Sequence, residues 1–482
     1  MQGNLFPSYE RKTVSKGESA VSMSPNSLLL PELREMLAKN DVAEMQQFCS
    51  ALHPASTADF MVGLTPTEIW SILRNIDPAT RADIFSYFDE DLQVQIFESA
   101  PRDEIADFIP YLPSDDRVDI LDEVEPEIVD EILPMVPAED QIDIQNLSAY
   151  PEDSCGAEMS TDYVRLREDM TFRQALDEIS RQSQTLETLN YLYVIDADGK
   201  LVGLVSAKEL LRHISKPDTP LSDYMKRDVI TVNADQDREV ASSLVRKYDF
   251  TAIPVVDDEN KMLGIITHDD VLDAVVEEMA EDAHLAAGVA PLEEPYLSTS
   301  LWQLARSRFM WLAILLFGAI STAFILNWFE DVNHQIFWLA TFLPMIVSTG
   351  GNSGGQSATL VITALATGQI TLGDWYRILR REVLMGLVLG TAMGACGLLN
   401  ALIIMWPKLI SGEISFTRLL VVPATVLLVV FSSNMTGALL PLLFKKLGWD
   451  PALMSNPFVA GISDTLGTLI YMALAMIFLI GL

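Results

Sequence analysis

Cysteine and histidine are scarce in this chain of 482 residues. Its three cysteines, Cys49, Cys155 and Cys396, lie far apart and none forms a CxxC pair, which argues against a disulfide framework or a thiolate zinc site. The five histidines are scattered, with no HExxH or comparable pair. No nucleophile–base or metal–water set stands at motif spacing, so the chain reads as not an enzyme. The N-terminal stretch MQGNLFPSYERKTVSKGESA lacks the apolar core of a signal peptide, and residues 1–25 read as a disordered tail.

Basic residues are also few, 32 against 67 acidic ones, for a net charge of −35. The shortage is local. Residues 301–482 carry nine Lys or Arg and seven Asp or Glu, so the remaining 23 basic and 60 acidic groups put −37 on the first 300 residues. So acidic a front half excludes nucleic acid and an anionic membrane surface as partners, and it attracts cations. The back half lacks charge of either sign over long runs. Five apolar stretches follow Arg308, at about 309–329, 336–367, 382–406, 419–444 and 456–482, each long enough to cross about 30 Å of hydrocarbon as a helix. Seven Lys or Arg lie on the front-half side of the five stretches (306, 308, 377, 380, 381, 445 and 446) and two, Lys408 and Arg418, on the other. By the positive-inside rule the acidic half and the N-terminus are cytoplasmic, and five spans put the C-terminus outside. The expected location is the cell (inner or plasma) membrane.

Within this apolar half the polar residues stand out. The second stretch contains PMIVSTGGNSGGQSATL, residues 344–360. No Lys follows its glycines, so a phosphate-binding loop is disfavoured. Two readings stay open: a small-residue packing face, and a helix interruption lined by Asn352, Ser353 and Gln356. The second is preferred, since broken backbone at membrane depth is tolerated where it lines a wet cavity. In the fifth stretch Asp464 is the sole charged group from Pro457 onward. A carboxylate at the centre of a bilayer costs about 2.5–3.5 kcal/mol on insertion scales, and an ionisable residue there is a functional candidate. The plainer reading is a structural carboxylate, protonated or bonded to a nearby hydroxyl. Asn456 lies eight residues earlier, on the same helix face and roughly 12 Å along the axis. Carboxylate, amide and carbonyl oxygens are hard ligands that suit Mg²⁺ or Ca²⁺.

Two repeats organise the acidic half. Pro101, Pro113, Pro126 and Pro137 are spaced 12, 13 and 11 apart, and each opens a short apolar-periodic run. Proline fits the first turn of a helix, so residues 26–150 read as an α-helical solenoid of short helices. Downstream, YVIDADGKLVGLVSAKELL (193–211) matches PVVDDENKMLGIITHDDVL (254–272) at a constant offset of 61. Each copy reads as strand, turn, strand and helix, preceded by a further helix. An acid-rich helical run, with Asp270, Asp273, Glu277, Glu278, Glu281 and Asp282, then leads toward the membrane. Two carboxylates 4 Å apart repel by about 4 kcal/mol at an effective dielectric near 20, which a divalent cation would relieve.

Together these residues resemble the MgtE family of magnesium channels and transporters, from about residue 30 to 482. The likeness rests on the proline-punctuated domain ending in YPEDSCGAEMS, the tandem repeat, which is similar to a cystathionine-β-synthase (CBS) pair, STGGNSGGQSATL, and DPALMSNPFVAGISDTLGTLIY. It implies a multidomain homodimer: a helical acidic N-domain (26–150), an α/β CBS-pair domain (151–275, copies at about 159–215 and 220–275), a connecting or plug helix (276–306) and an all-α membrane domain of five transmembrane helices (307–482) with its pore on the dimer axis. The resemblance carries Asp464, Asn456 and Asn352 over as pore residues. It carries Asp83, Asp115, Asp119, Glu239, Asp249, Asp270, Asp273, Glu278, Glu281 and Asp282 over as cytoplasmic Mg²⁺-sensing acids. Mg²⁺ would be both cargo and regulator, in a lipid bilayer. Some family members bind ATP, which leaves an adenine nucleotide at the CBS pair open. The rival expectations are an ion-coupled secondary transporter of another divalent cation (Co²⁺, Mn²⁺ or Ca²⁺) and a non-conducting membrane sensor of such ions.

Overall fold

The structure is a computed structural model that describes residues 29–182, 188–292, 296–297, 299–329 and 337–480. The expected disordered tail, residues 1–25, lies outside the described residues. Two compact units, Met1–Val275 and Val276–Leu482, divide the chain.

The first unit begins with short helices, and its prolines stand where their missing N–H costs nothing. Pro54, Pro66, Pro78 and Pro126 open the helices Pro54–Met61, Pro66–Leu73, Pro78–Phe85 and Pro126–Ile132. Pro101, Pro113 and Pro137 immediately precede Arg102–Ala106, Ser114–Glu123 and Ala138–Leu147. Side chains close the remaining donors: Thr65 and Glu68 form a reciprocal capping box, and Asp77 accepts from the Thr80 N–H. Helices pack on their next-but-one neighbours, Pro54–Met61 on Pro78–Phe85 and Pro66–Leu73 on Glu90–Ser99. Phe85, Phe97 and Phe108 meet at ring separations of 5.3–6.5 Å in the core.

The repeat builds two three-stranded sheets. In the first, β1 (Arg165–Arg167) pairs parallel with β2 (Tyr191–Ile195), which pairs antiparallel with β3 (Leu201–Ser206). In the second, β4 (Val232–Asn233), β5 (Ala252–Val256) and β6 (Met262–Thr267) repeat that arrangement. The helices Phe172–Gln182 and Arg238–Tyr248 form as read from the sequence. The same turn is made twice. Asp196 Oδ1 accepts the backbone N–H of Asp198 and Lys200, and Asp257 Oδ1 those of Glu259 and Lys261. Gly199 and Asn260, equivalent under the 61-residue offset, both take a left-handed φ, 83° and 64°. The two hairpins then bond to each other, Leu201 N–H to Asn260 O and Met262 N–H to Gly199 O, each at 3.0 Å.

A helix spans His268–Ala287 and ends at Gly288, whose φ of +72° stops it. The stretch expected to connect to the membrane domain, 276–306, is thus helical as far as Ala287 and helical again from Leu301. Among the described residues five long helices follow: α1 (Leu301–Trp328), α2 (Leu343–Ala366), α3 (Trp375–Ile410), α4 (Val421–Lys446) and α5 (Asn456–Ala475), which continues as a π-helix over Met476–Ile480. Among the described residues four helices are long and apolar enough to cross a membrane, Leu301–Trp328, Leu372–Ile410, Phe416–Lys446 and Asn456–Phe478. The helix not among them is α2, diluted by glycine, serine and asparagine.

One expectation is corrected here. The second stretch is not interrupted: α2 is an unbroken helix of 24 residues. Its glycines serve contact instead. A Cβ on Gly350 would come within 2.5 Å of Val429 Cγ1, and one on Gly354 within 2.9 Å of Ser463 Oγ. A Cβ on Gly437 of α4 would collide with the Gly354 carbonyl oxygen. The packing-face reading holds: small residues let α2 sit tightly against α4 and α5. Gly386, Gly390 and Gly394 do the same for α3 on α4, against Phe431, Leu427 and Pro423.

In the first unit, Arg117 (4% exposed) pairs with Asp140 at 3.0 Å and Asp162 at 3.1 Å and donates to Leu112 O. It ties helix Ser114–Glu123 to the segment entering the first sheet. Arg117→Met leaves two carboxylates uncompensated, and we expect a loss of about 3–5 kcal/mol, read by chemical denaturation; a change within about 0.5 kcal/mol, the size expected of an ordinary surface substitution, would refute this role.

Candidate ion pathway and acidic sites

The second unit carries a groove of about 990 Å³ between α2 and α5. Helix periodicity brings Ser348, Asn352, Gln356 and Thr359 of α2 to its wall, with Gly351 and Gly355 between them, opposite Asn456, Ala460 and Asp464 of α5. All three pore residues named from the sequence, Asn352, Asn456 and Asp464, therefore line one groove. The glycines make room for the polar atoms facing them. The Cβ position at Gly351 lies 3.4 Å from Asp464 Oδ1, and that at Gly355 lies 3.1 Å from Asn456 Oδ1. Asn456 Oδ1 accepts a hydrogen bond from Thr359 Oγ1 at 3.0 Å, while the Asn352 amide donates to Ser348 Oγ at 3.5 Å, a long contact. The arrangement offers a carboxylate, three amides and hydroxyls on an open surface, the ligand chemistry of a hard, hydrated cation.

The end of helix His268–Ala287 packs beside this groove. Leu285 is buried with Ala358 and Ile362 of α2 and Val459 of α5, and Gly288 lies against Ser455 and Pro457, next to Asn456. On the same helix, burial raises the Asp282 carboxyl above its ordinary value, with Asp450 and Glu278 adding repulsion. Glu281 lies one residue before Asp282.

In the first unit the acids gather around helix Ser114–Glu123. Burial raises the pKa of Asp116, whose carboxylate accepts from Ser86 Oγ and feels Asp270, Asp269 and Asp273. Burial likewise raises Asp270, although Thr267 donates to it at 2.6 Å. Asp119 is pushed up to about 7, by desolvation and then by Glu158, Asp116 and Glu90; its side chain still reaches water, which screens what the crowding costs. Asp83 is raised by burial and by Asp77. Asp115, 6% exposed, lies in the first turn of the same helix. Asp270 and Asp273 thus face Asp116, and Asp119 lies near Asp116 on the same helix. Glu239 and Asp249 do not meet each other: they lie at opposite ends of helix Arg238–Tyr248, about 15 Å apart.

Four acids were not singled out from the sequence: Asp116, Glu158, Asp269 and Asp450. Asp116 stands in the first turn of helix Ser114–Glu123 and Glu158 sits inside YPEDSCGAEMS, but no local pattern links them to residues 269–273. Among the described residues no group of three or more His, Cys, Asp or Glu stands in a geometry able to hold a metal ion.

An acidic helical domain, a CBS pair and a set of apolar helices with a polar groove between two of them define a class: a multi-pass membrane protein for cations that carries a large acidic domain. Family models agree in chain order. Residues 52–153 match the MgtE intracellular N domain, 155–216 and 221–277 match CBS domains, and 343–474 match a divalent cation transporter domain. A magnesium transporter MgtE of Enterococcus faecalis is 35% identical over 450 residues, 93% of this chain and 96% of that one. One of Thermus thermophilus is 38% identical over 340 residues, 70% of this chain and 72% of that one. A crystal structure of the cytosolic domain of the Mg²⁺ channel MgtE in complex with ATP aligns with 50% of this chain and 98% of that one at 29% identity and a TM-score of 0.47. The chain belongs to the MgtE family.

The raised carboxyls have a consequence for stability. Desolvation and neighbouring acids push folded Asp119 up to about 7 from an ordinary 3.8, an effect moderated by the water its exposed side chain reaches, and Asp116 and Asp270 shift in the same direction. The folded form therefore binds more protons between these values, so stability falls as pH rises from 4 through 7. In chelator, the full chain in detergent should melt at higher temperature at pH 5.5 than at pH 8, and Asp119→Asn should raise the pH 8 value and flatten the slope. A melting temperature that climbs with pH over this window would contradict the assignment.

Proposed function

We propose that the protein is a homodimeric Mg²⁺ channel of the cell membrane whose uptake is governed by cytoplasmic Mg²⁺. The observation that carries this reading is Asp464, the sole acid of α5, standing in a polar groove with Asn456 and Asn352. A carboxylate at that depth is compensated by a cation passing it. Two copies of Asp464 facing each other across a two-fold axis would hold a partly hydrated ion, in keeping with the reluctance of Mg²⁺ to shed water. The seven-to-two bias of basic residues supports a cytoplasmic acidic half. A divalent ion moving inward then gains about 4.6 kcal/mol per 100 mV.

The acidic half supplies control. At high internal Mg²⁺, ions neutralise the crowded carboxylates around Asp116, Asp119, Asp270 and Asp273, and those of Glu278, Glu281 and Asp282, and favour the compact, closed form. The close packing of Leu285 and Gly288 beside Asn456 gives the connecting helix a place from which to occlude the groove. At low Mg²⁺, repulsion favours opening. The ion acts through its difference in affinity for the two states. Asp83, Asp115, Glu239 and Asp249 belong to this sensing set through the family likeness. An adenine nucleotide at the CBS pair plays no part in this reading.

Two measurements test it. Purified protein in lipid vesicles should take up Mg²⁺, and Asp464→Ala should lower uptake at least about tenfold, a barrier change of about 1.4 kcal/mol; an unchanged rate would sink the pore assignment. A dependence of uptake on an H⁺ or Na⁺ gradient would instead favour a coupled transporter. For control, replacing Asp116 and Asp270 together by Asn should flatten the dependence of uptake on internal Mg²⁺, since repulsion no longer opens the protein. An inhibition curve superimposable on the parent's would refute sensing by this cluster.

A further inference from the structure

The face of α2 turned away from the groove carries a second set of polar groups. Ser353 Oγ donates to Asn434 Oδ1 of α4 at 2.5 Å, and Ser357 Oγ donates to Glu382 Oε2 of α3 at 2.8 Å. The Asn434 carbonyl, 3.3 Å from Ser357 Oγ, is the alternative acceptor for that one hydroxyl proton. Ser357 is 5% exposed and Asn434 2%. Glu382 is half-buried. No charged residue follows it in α3 until Lys408, and among the described residues Ser357 is its hydrogen-bond donor and no cation pairs with it.

α2 has particular need of such bonds. Gly350 and Gly354 allow its close approach to α4 and α5 but present no side chain at those contacts, whereas Ala358, Ile362 and the Thr359–Asn456 bond hold it nearer its C-terminal end. Each clamp residue adjoins a groove residue in sequence: Ser353 follows Asn352, and Ser357 follows Gln356. Whatever fixes the serines fixes the amides. At a side-chain radius of about 5–6 Å, a turn of roughly 4° moves an amide oxygen by about 0.4 Å, which is the difference between Mg²⁺–oxygen and Ca²⁺–oxygen distances.

We propose that Ser353, Ser357, Asn434 and Glu382 form a positioning clamp that sets the rotation of α2 and thereby the preference of the groove among divalent cations. The clamp touches no ion; it acts through Asn352 and Gln356, and it rests on the reading of the groove as the ion path.

The test compares uptake of Mg²⁺ and Ca²⁺ by vesicles holding the full chain. Ser353→Ala, Ser357→Ala and Glu382→Gln should each change the Mg²⁺/Ca²⁺ uptake ratio by about threefold or more, the size of a modest pocket change. Ser357→Thr, which keeps the hydroxyl, should retain the parent ratio. Ser357→Ala combined with Glu382→Gln should shift the ratio no further than Ser357→Ala alone, because Gln keeps the acceptor oxygen and only weakens by loss of charge the one bond that Ser357→Ala removes. A uniform fall for both ions, or an unchanged ratio, overturns the clamp. Should Glu382→Gln fail to fold, the two serine variants, which lose only a hydroxyl, decide. Asp464→Ala runs in the same series: if it leaves uptake unchanged, the groove reading fails and the clamp with it, whereas an effect there beside unchanged ratios defeats the clamp alone.

Discussion

Close approach of the α2 backbone to α4 and α5 is the constraint on which the membrane unit depends. Lipid offers no hydrophobic drive for helix association, so contact area and hydrogen bonds must supply it. Glycine at 350, 354 and 437 removes the atoms that would hold the axes apart. The same thinning of side chains on the other face, at Gly351 and Gly355, leaves space in front of Asp464 and Asn456. One glycine-rich helix thus solves two problems, tight packing behind and an open polar groove ahead.

The first unit works against a different force. Its carboxylates crowd around helix Ser114–Glu123 and the start of helix His268–Ala287, and burial raises Asp116, Asp119 and Asp270 above their ordinary values. A buried ion pair such as Arg117 with Asp140 and Asp162 stays satisfied within the chain. The Asp116–Asp270 region has like charges facing each other, and its electrostatic cost is what an external cation can change. That contrast separates acids that hold the fold from acids that bias it.

Much of the architecture was legible in the sequence because it is written in local patterns. Proline at 12-residue intervals marks helix starts whatever the tertiary setting, and the turn at Asp196–Gly199 recurs at Asp257–Asn260 because the same side chain caps the same backbone donors. The GGNSGG stretch misled for a physical reason. Glycine lowers helix propensity in water, yet in a packed membrane helix the neighbours it admits repay that loss, and α2 stays unbroken. The groove residues Asp464, Asn456 and Asn352 stood out as polar groups in apolar runs. Ser357 and Glu382 did not, since a serine in a small-residue stretch and an acid beside two arginines have ordinary explanations.

By itself the sequence determined the division into an acidic part and an apolar part, the paired α/β repeat, and the anion isolated in the last apolar stretch. Each follows from composition or periodicity within a few turns of chain. Only the tertiary structure decided which acids face one another across 150 residues, that α2 is continuous, and that its two polar faces serve different neighbours. Those outcomes depend on which helix lies beside which, and pairwise distance between remote segments leaves no mark in local pattern.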